Sequence, residues 1–226
     1  MKNLLIIFAK APEPGQVKTR LLPFLSPEQA ATLHEAFILD TLVNTERLPL
    51  QHALACTPSP EHPFFRQCGM EHTLLFVQQE GKHLGERMNH ALEWGFSKGF
   101  EKVLLIGSDT PTLPKQFIRE GLDRLDTHPW VIGPSLDGGY YLIGGTAPLP
   151  GLFNGVRWGT DEVLTKTLKM LEKQKTPCHL LPFWYDIDRP KDLVLLKSHI
   201  TLSKAQGDFY PKLTWDKIEK LKQLCL

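Results

Sequence analysis

Two uninterrupted apolar runs constrain the fold of this chain more than any other feature of its sequence. Leu4–Ile7 lies near the amino terminus, and Val103–Ile106 lies near the middle of the chain. A short run without polar interruption is typical of a strand buried on both faces, as in a parallel sheet. Segments with helical periodicity alternate with these and other short apolar segments. This alternation predicts an α/β fold with a mostly parallel central sheet flanked by helices.

Charge and cysteine usage exclude several classes of protein. The 226 residues carry 26 basic and 25 acidic side chains, a net charge of +1. A general nucleic-acid binder would carry a basic excess, so we expect no nucleic-acid partner. No apolar stretch is long enough to cross a bilayer, so we expect no membrane span. The cysteines form no C-x-x-C pair, which favours a reducing, cytoplasmic location. They are Cys56, Cys68, Cys178 and Cys225.

Helix start signals place several elements along the chain. Ser26–Gln29 has the sequence of a capping box and predicts a helix that runs to about Arg47. Two acidic residues in a first turn predict a helix beginning at Thr160, and a proline predicts another beginning at Pro190. Pro58–Pro63 contains three prolines and is predicted to be irregular.

The segment after the first apolar run concentrates positive charge. Lys10, Lys18 and Arg20 lie on a loop that two prolines stiffen and in which Gly15 is free to adopt a positive φ. Open α/β sheets bind ligands at the carboxyl ends of their strands, and a cationic loop suits a polyphosphate. The alternative is an ordinary strand-to-helix connection with solvated charges.

Two aspartates are candidate metal ligands. Asp109 directly follows the second apolar run, and because Pro114 delays the next helix, a ligand or metal role is favoured over helix capping. Asp188 precedes Pro190 and suits either a metal or the cap of that helix. Mg²⁺ typically bridges one or two carboxylates to phosphate oxygens. The nine histidines show no ligand spacing, so none is assigned to a metal.

Other motifs permit both a ligand role and an ordinary structural role. Arg87 at a helix start suits a phosphate or a surface pair with Glu86. Asp137–Gly139 suits close approach of a ligand or a hairpin turn. Trp158–Asp161 suits an acceptor, although a tryptophan more often packs. Four aromatic residues fit an acceptor pocket or a homodimer interface equally well: Phe64, Phe65, Trp158 and Trp184.

Seven motifs in this order resemble a known family. They are Phe8-Ala-Lys-Ala-Pro with Gly15-x-Val-Lys-Thr-Arg20, Leu84-Gly-Glu-Arg87, Ile106-Gly-Ser-Asp-Thr-Pro111, Gly133-Pro134, Asp137-Gly-Gly-Tyr-Tyr141, Trp158-Gly-Thr-Asp161 and Trp184-Tyr-Asp-Ile-Asp188. The chain resembles a little-characterised bacterial family of the GT-A, nucleotide-diphospho-sugar transferase superfamily. Its members are often provisionally labelled glycosyltransferases, and relatives include the molybdenum-cofactor and phospholactate guanylyltransferases. The resemblance covers Met1 to Leu196 and excludes the tail from about Ser203.

The resemblance implies a Rossmann-like GT-A fold, with one nucleotide-binding transferase domain over residues 1–200 and a C-terminal helical extension over 201–226. It implies Mg²⁺ (or Mn²⁺) on Asp109 and on Asp188, where Arg189 replaces the usual threonine of the motif. Lys18 and Asp109 are the candidate catalytic residues. The candidate nucleotide-binding residues are Ala9, Lys10, Ala11, Gly15, Lys18, Thr19, Arg20, Arg87 and Ser108. The candidate acceptor-binding residues are Asp137, Gly138, Gly139, Trp158, Thr160 and Asp161.

The sequence thus predicts a metal-dependent, nucleotide-binding transferase with a small-molecule acceptor. Nucleotidyl transfer from a nucleoside triphosphate to a phosphorylated small molecule, with release of pyrophosphate, is favoured because Ser108–Pro111 contains a single acid rather than a D-x-D pair. The alternative is a glycosyltransferase that uses a nucleotide-sugar donor. A further alternative, from another class, is a non-catalytic nucleotide-binding module.

Overall fold

The structure is a computed structural model of the chain and describes residues 2–22 and 24–221. Seven strands form one sheet in the order β3-β2-β1-β4-β6-β5-β7. Pairs β1–β4, β2–β3 and β5–β7 are parallel, whereas β6 is antiparallel to both of its neighbours. The strands are β1 (Asn3–Lys10), β2 (Gln51–Thr57), β3 (Leu75–Gln78), β4 (Lys102–Gly107), β5 (Trp130–Pro134), β6 (Tyr140–Gly145) and β7 (Cys178–Leu180). The predicted α/β class with a mostly parallel sheet is confirmed.

Seven α-helices and a short 3₁₀ turn, Thr19–Leu21, accompany the sheet in the described part of the chain. The helices are α1 (Pro27–Thr45), α2 (Pro63–Glu71), α3 (Leu84–Ser97), α4 (Lys115–Arg124), α5 (Val163–Lys173), α6 (Pro190–Gln206) and α7 (Lys212–Ile218). The capping box predicted at the start of α1 is present, with Ser26 and Gln29 exchanging hydrogen bonds. Within the described residues, no helix is long and apolar enough to cross a membrane.

The two apolar runs form the centre of the sheet. Strands β1 and β4 pair in parallel from Asn3↔Lys102 to Phe8↔Gly107, so their carboxyl ends lie at the same edge. Leu4–Ile7 and Val103–Ile106 are buried throughout. Burial on both faces explains why neither run alternates with polar residues.

Some element boundaries differ from the prediction. The proline-rich segment ends in a helix, α2, because Pro63 occupies the first helical position and His62 accepts a hydrogen bond from the Phe64 N–H. Helix α5 begins at Val163 rather than at Thr160, since the preceding residues form a turn. The last predicted helix face included Cys225, which lies outside the described residues.

The chain divides into two compact units. The first comprises residues 1–9, 48–107 and 114–185 and contains the sheet apart from the last residue of β1, together with α2 to α5. The second comprises residues 10–47, 108–113 and 186–226, and its described part contains the first loop, α1, α6 and α7. The domain boundary at residue 200 stays a prediction.

Candidate functional site

Lys18 lies at the centre of a charged cluster in the second unit. Its side chain is only 3% exposed. The ammonium nitrogen is 2.7 Å from Asp109 Oδ1 and 3.4 Å from Asp188 Oδ1, and it donates a hydrogen bond to the Ile187 carbonyl at 2.6 Å. One buried cation is therefore shared by two carboxylates that are 79 positions apart in the sequence.

The backbone of Lys18 has an unusual conformation. Its φ of 49° lies in the left-handed region, immediately before the 3₁₀ turn. A residue with a side chain adopts this conformation at a cost of roughly 1–2 kcal/mol, so the surrounding contacts must hold it there. Gly15, on the same loop, has a φ of 75°, as its sequence position suggested.

Asp188 faces the cations rather than the following helix. Arg20 donates a hydrogen bond from Nη1 to Asp188 Oδ2 at 3.1 Å. The backbone N–H groups of Asp188 and Arg189 instead donate hydrogen bonds to Asp192 Oδ2, at 3.1 and 2.7 Å. Asp188 therefore does not cap α6, and that alternative is wrong. Its role as a metal ligand stays a prediction.

Asp109 presents one buried and one accessible side. Oδ1 is buried, although the side chain as a whole is 44% exposed. Burial by itself raises the pKa of Asp109, but the Lys18 ammonium and His34 outweigh it and hold the pKa below the ordinary value. Helix α4 begins several residues later, with Pro114 at its N-cap, so Asp109 is not a helix cap.

His34 belongs to this cluster and was not predicted from the sequence. It lies on α1, its side chain is 7% exposed, and Nδ1 is 3.8 Å from Asp109 Oδ1. The other ring nitrogen, Nε2, donates to the carbonyl of Lys10 at 3.0 Å. Burial lowers the pKa of His34, although Asp109 opposes this shift. The sequence signal that could have identified His34 is its spacing of four residues from the apolar positions Ala30 and Ile38.

The remaining first-loop candidates are spread over the loop and its ends. Lys10 and Arg20 are exposed, and the Lys10 ammonium donates to the Gln16 carbonyl at 2.7 Å. Thr19 is exposed at the start of the 3₁₀ turn, and Ala11 is buried. Ala9, within β1, and Ser108, directly after β4, are also buried. Their roles in nucleotide binding stay predictions.

In the first unit, the turn Asp137–Gly139 packs tightly against a second candidate segment. Asp137 Oδ1 accepts a hydrogen bond from the Gly139 N–H at 2.9 Å, which stabilises the turn. Gly138 has a φ of 89°, and a Cβ there would lie 2.3 Å from the Asp161 carbonyl oxygen. The Gly138 carbonyl accepts from the Leu164 N–H at 2.9 Å. The structure thus brings Asp137–Gly139 and Asp161 together, with glycine required at position 138.

Trp158 packs within the same unit. Its indole is edge-on to the rings of Tyr140 and Phe153, with centroids 6.4 and 5.9 Å away. A Cβ on Gly85 would lie 2.7 Å from the indole ring, so the two residues are in close contact. Packing is thus one role of Trp158, and acceptor binding stays a prediction.

Two further first-unit candidates make local hydrogen bonds. Thr160 donates from its hydroxyl to the Arg157 carbonyl at 2.8 Å. Arg87 donates from Nε to the Gly81 carbonyl at 3.1 Å. Their roles toward an acceptor and a phosphate stay predictions.

Metal binding by this chain would depend on few side chains. Among residues 2–22 and 24–221, no group of three or more His, Cys, Asp or Glu side chains could hold a metal ion. Asp109 and Asp188 nevertheless both contact the Lys18 ammonium. Mg²⁺ commonly uses only one or two carboxylates together with phosphate oxygens and water. The oxygen donors therefore fit a divalent ion that a bound phosphate chain helps to hold.

Comparison with known proteins agrees with the motifs. Residues 40–160 match the family model described as "Uncharacterized protein conserved in bacteria (DUF2064)". A crystal structure from Desulfovibrio desulfuricans G20, provisionally named a nucleotide-diphospho-sugar transferase, is 31% identical with a TM-score of 0.88. The alignment covers 99% of this chain and 98% of that one. No curated protein matches the sequence.

More distant structures share the fold. A cytidylyltransferase from Leptospira borgpetersenii is 14% identical with a TM-score of 0.57, covering 97% of this chain and 94% of that one. The 4-diphosphocytidyl-2C-methyl-D-erythritol synthase of Anaerococcus prevotii DSM 20548 is 11% identical with a TM-score of 0.59, covering 88% and 96%. The resemblance to nucleotide-diphospho-sugar transferases is confirmed. The two more distant structures are too low in sequence identity to show more than a shared fold.

Proposed function

Because this chain belongs to the bacterial DUF2064 family, and its full-length relative carries the name of a nucleotide-diphospho-sugar transferase, we propose that it is a metal-dependent nucleotidyltransferase. It joins a nucleoside triphosphate to a phosphorylated small molecule and releases pyrophosphate. The observation that carries the proposal is the shared contact of Lys18 with Asp109 and Asp188, beside the exposed Arg20.

In this proposal the carboxylates hold the metal ion, and the exposed cations bind the phosphate chain. Arg20 and Lys10 are exposed and suit phosphate oxygens, and an arginine binds them in a fixed fork geometry. Lys18 holds both carboxylates in place from the buried side. A divalent ion on Asp109 and Asp188 would supply charge neutralisation at the triphosphate and orient its α-phosphate.

The chemistry needs positioning more than a protein nucleophile. A phosphate oxygen of the acceptor attacks the α-phosphorus, the bond between the α- and β-phosphates breaks, and pyrophosphate leaves with that bridging oxygen. Negative charge on the leaving group grows during this step, and cationic side chains fixed in advance stabilise it without reorganisation. The loop that carries Arg20 has such side chains.

Glycosyl transfer from a nucleotide sugar is the second candidate. The observation that favours it is the name of the 31% identical relative, which refers to nucleotide-diphospho-sugars. Both reactions would use a nucleotide and a carboxylate-bound metal, but their products differ. Nucleotidyl transfer releases pyrophosphate from a triphosphate, whereas glycosyl transfer releases a nucleoside diphosphate.

The test measures both products with the full chain. We expect pyrophosphate release from at least one nucleoside triphosphate, in the presence of Mg²⁺ or Mn²⁺ and a set of sugar phosphates. Asp109→Asn should lower this rate by roughly 100-fold or more, since it removes a charge that acts at the reacting phosphates. Asp126→Asn is the matched control, because Asp126 pairs with Lys102 in the first unit. It should keep the rate.

The other outcomes contradict the proposal in distinct ways. Release of nucleoside diphosphate from nucleotide sugars, without pyrophosphate release from triphosphates, would identify a glycosyltransferase. Nucleotide binding with no turnover of either substrate, and with equal affinity in Asp109→Asn, would favour the non-catalytic module.

A further inference from the structure

A cavity of about 330 Å³ lies in the first unit, between helix α3 and the segment 151–156. Its volume is at the lower end of the range for small-molecule sites. None of the described residues that line it belongs to the candidate nucleotide-binding or acceptor-binding residues. Because the charged cluster around Lys18 belongs to the second unit, this cavity is a separate feature of the fold.

One wall of the cavity is a polar face of α3. Glu86, Asn89, His90 and Glu93 line it, and their spacing of three or four residues places them on one side of the helix. His83, the N-cap residue of α3, lines the same wall. Among the described residues around the cavity, two are glutamates and none is a lysine or an arginine. The lining is therefore unfavourable for an anion such as a phosphate.

Hydrogen bonds within this wall fix the direction of its polar groups. Asn89 Nδ2 donates to Glu93 Oε1 at 2.8 Å, so the amide has a second N–H to donate and Glu93 Oε2 is still an acceptor. His83 Nδ1 accepts from the Glu86 N–H at 3.3 Å, so the neutral imidazole carries its proton on Nε2. Side chains held in this way lose less conformational freedom when a ligand binds.

The opposite wall adds an apolar surface and a second amide. Phe153 and Val156 line the cavity and are only 6% and 9% exposed. Asn154 is exposed and supplies a carboxamide. Gly151 and Gly155 have no side chains, which leaves room in the cavity.

The lining thus combines uncharged donors, carboxylate acceptors and a small apolar surface. A hydroxyl group both donates and accepts hydrogen bonds, so it pairs with an amide, an imidazole or a carboxylate. An apolar chain in the cavity would leave the oxygens of Glu86 and Glu93 without partners from the ligand. A C–H ring that carries several hydroxyl groups fits all three parts of the lining.

We propose that this cavity is a binding site for an uncharged sugar. The pair Asn89–Glu93 and the amide of Asn154 bind its hydroxyl groups, and Phe153 contacts its C–H groups. The site goes beyond the proposed nucleotidyl transfer, because binding of the sugar requires neither a nucleotide nor a metal ion.

The experiment uses the full chain, without nucleotide or metal ion, and a panel of uncharged hexoses and pentoses at millimolar concentrations. Saturation-transfer NMR should detect binding of at least one of these sugars. The phosphate ester of that sugar should bind roughly tenfold more weakly, since the lining carries two carboxylates.

Two variants alter opposite walls of the cavity. Asn89→Leu should weaken binding of the sugar roughly tenfold, because it removes hydrogen bonds to the hydroxyl groups. Asn154→Trp should abolish binding, because the larger side chain fills the space. The matched control is Gln67→Leu. Gln67 lies on α2 in the same unit, outside the cavity lining, and donates to Glu71, four residues later, at 3.0 Å. It forms the same kind of amide–carboxylate pair, and its removal should leave the affinity unchanged.

Three outcomes overturn the inference. Absence of binding of every sugar in the panel to the wild-type chain would show that the cavity is not a sugar site. Tighter binding of the phosphate ester, or of the corresponding amino sugar, would show that the ligand is charged. Equal affinities of the wild type, Asn89→Leu and Asn154→Trp would place the sugar elsewhere. None of these results bears on pyrophosphate release, so the proposed function is tested separately.

Discussion

Lys18 has two features that are costly on their own and one contact, a cation–π interaction, that offsets part of the cost. It is a buried cation, it has a left-handed backbone, and it lies over the ring of Phe37 at 5.3 Å from the centroid. A buried ammonium is tolerated when carboxylates and a carbonyl compensate for its lost hydration, as Asp109, Asp188 and Ile187 do here. Lys18 therefore organises the cluster, whereas Lys10 and Arg20 on the same loop are exposed to solvent.

Arg20 permits a test at the scale of one residue. We expect Arg20→Ala to weaken binding of inorganic tripolyphosphate roughly tenfold, since charge-assisted hydrogen bonds to phosphate are lost. Its side chain is 54% exposed, so the pair with Asp188 should contribute less than about 1 kcal/mol to stability. Calorimetry and urea unfolding measure the two quantities.

Arg66→Ala is the matched control for this prediction. Arg66 forms an exposed ion pair with Glu61 in the first unit. Its removal should change stability as little as Arg20→Ala does and should leave tripolyphosphate affinity unchanged. Equal affinities of the two variants would contradict a role of Arg20 in phosphate binding.

At the scale of elements, α1 contributes to the charged cluster at one point along its length and contacts helix α7 at another. His34 lies in the charged cluster, and Asp40, six residues later, accepts hydrogen bonds from the N–H groups of Leu213 and Thr214 at 3.1 and 2.7 Å. One carboxylate thus satisfies two free N–H groups at the start of α7. Residues on several sides of α1 are buried, because other segments cover this helix on more than one side.

Asp40 makes stability depend on pH in a direction opposite to that of a typical salt-bridged aspartate. Burial raises the pKa of Asp40, although its hydrogen bonds with Thr214 and Leu213 oppose the shift. Between the ordinary value near 3.9 and the raised value, the folded state binds more protons than the unfolded state. The free energy of unfolding contributed by this group therefore falls as pH rises through that window.

The comparison of wild type with Asp40→Asn isolates this effect. Urea unfolding at a series of pH values above about 4 should show a stability difference that favours the wild type most at the acidic end. The variant should also lose on the order of 1 kcal/mol, because its amide offers one oxygen to two N–H groups. A difference that grows in favour of the wild type toward neutral pH would show that the pKa of Asp40 is lowered instead.

At the scale of the whole molecule, the second unit is assembled from three separate stretches of chain, 10–47, 108–113 and 186–226. Each stretch supplies a member of the charged cluster: Lys18 from the first, Asp109 from the second and Asp188 from the third. A backbone hydrogen bond joins the second and third stretches directly, because the Ile187 N–H donates to the Asp109 carbonyl at 3.0 Å. The cluster therefore depends on the folding of this unit as a whole.

Removal of residues 201–226 tests that dependence. Trp215 and Ile218 are buried in the described part of this segment, and fully burying one large apolar side chain contributes roughly 1.5–3 kcal/mol. We expect the deletion to lower the free energy of unfolding by at least about 3 kcal/mol, measured with urea. An unchanged unfolding midpoint would show that these residues form an independent appendage.

Sequence patterns are sufficient to predict the α/β class of the fold, and they also favour a phosphate-bearing ligand, which stays a prediction. Apolar runs such as Leu4–Ile7 and the capping box at Ser26 depend on contacts between neighbours in the chain, which sequence patterns report directly. The same local patterns predicted an irregular segment over Pro58–Pro63. They missed that Pro63 occupies the first helical position and begins α2.

Which distant side chains contact one another is visible in the folded chain and not in the sequence. Asp188 had a local alternative as a helix cap, and the position of Asp192 removed it. His34 resembled any polar residue in an apolar helix until folding placed it against the Lys10 carbonyl and Asp109. Contacts between residues about 75 to 170 positions apart leave no periodic signal in a single sequence, because their spacing is set by the path of the chain through both units.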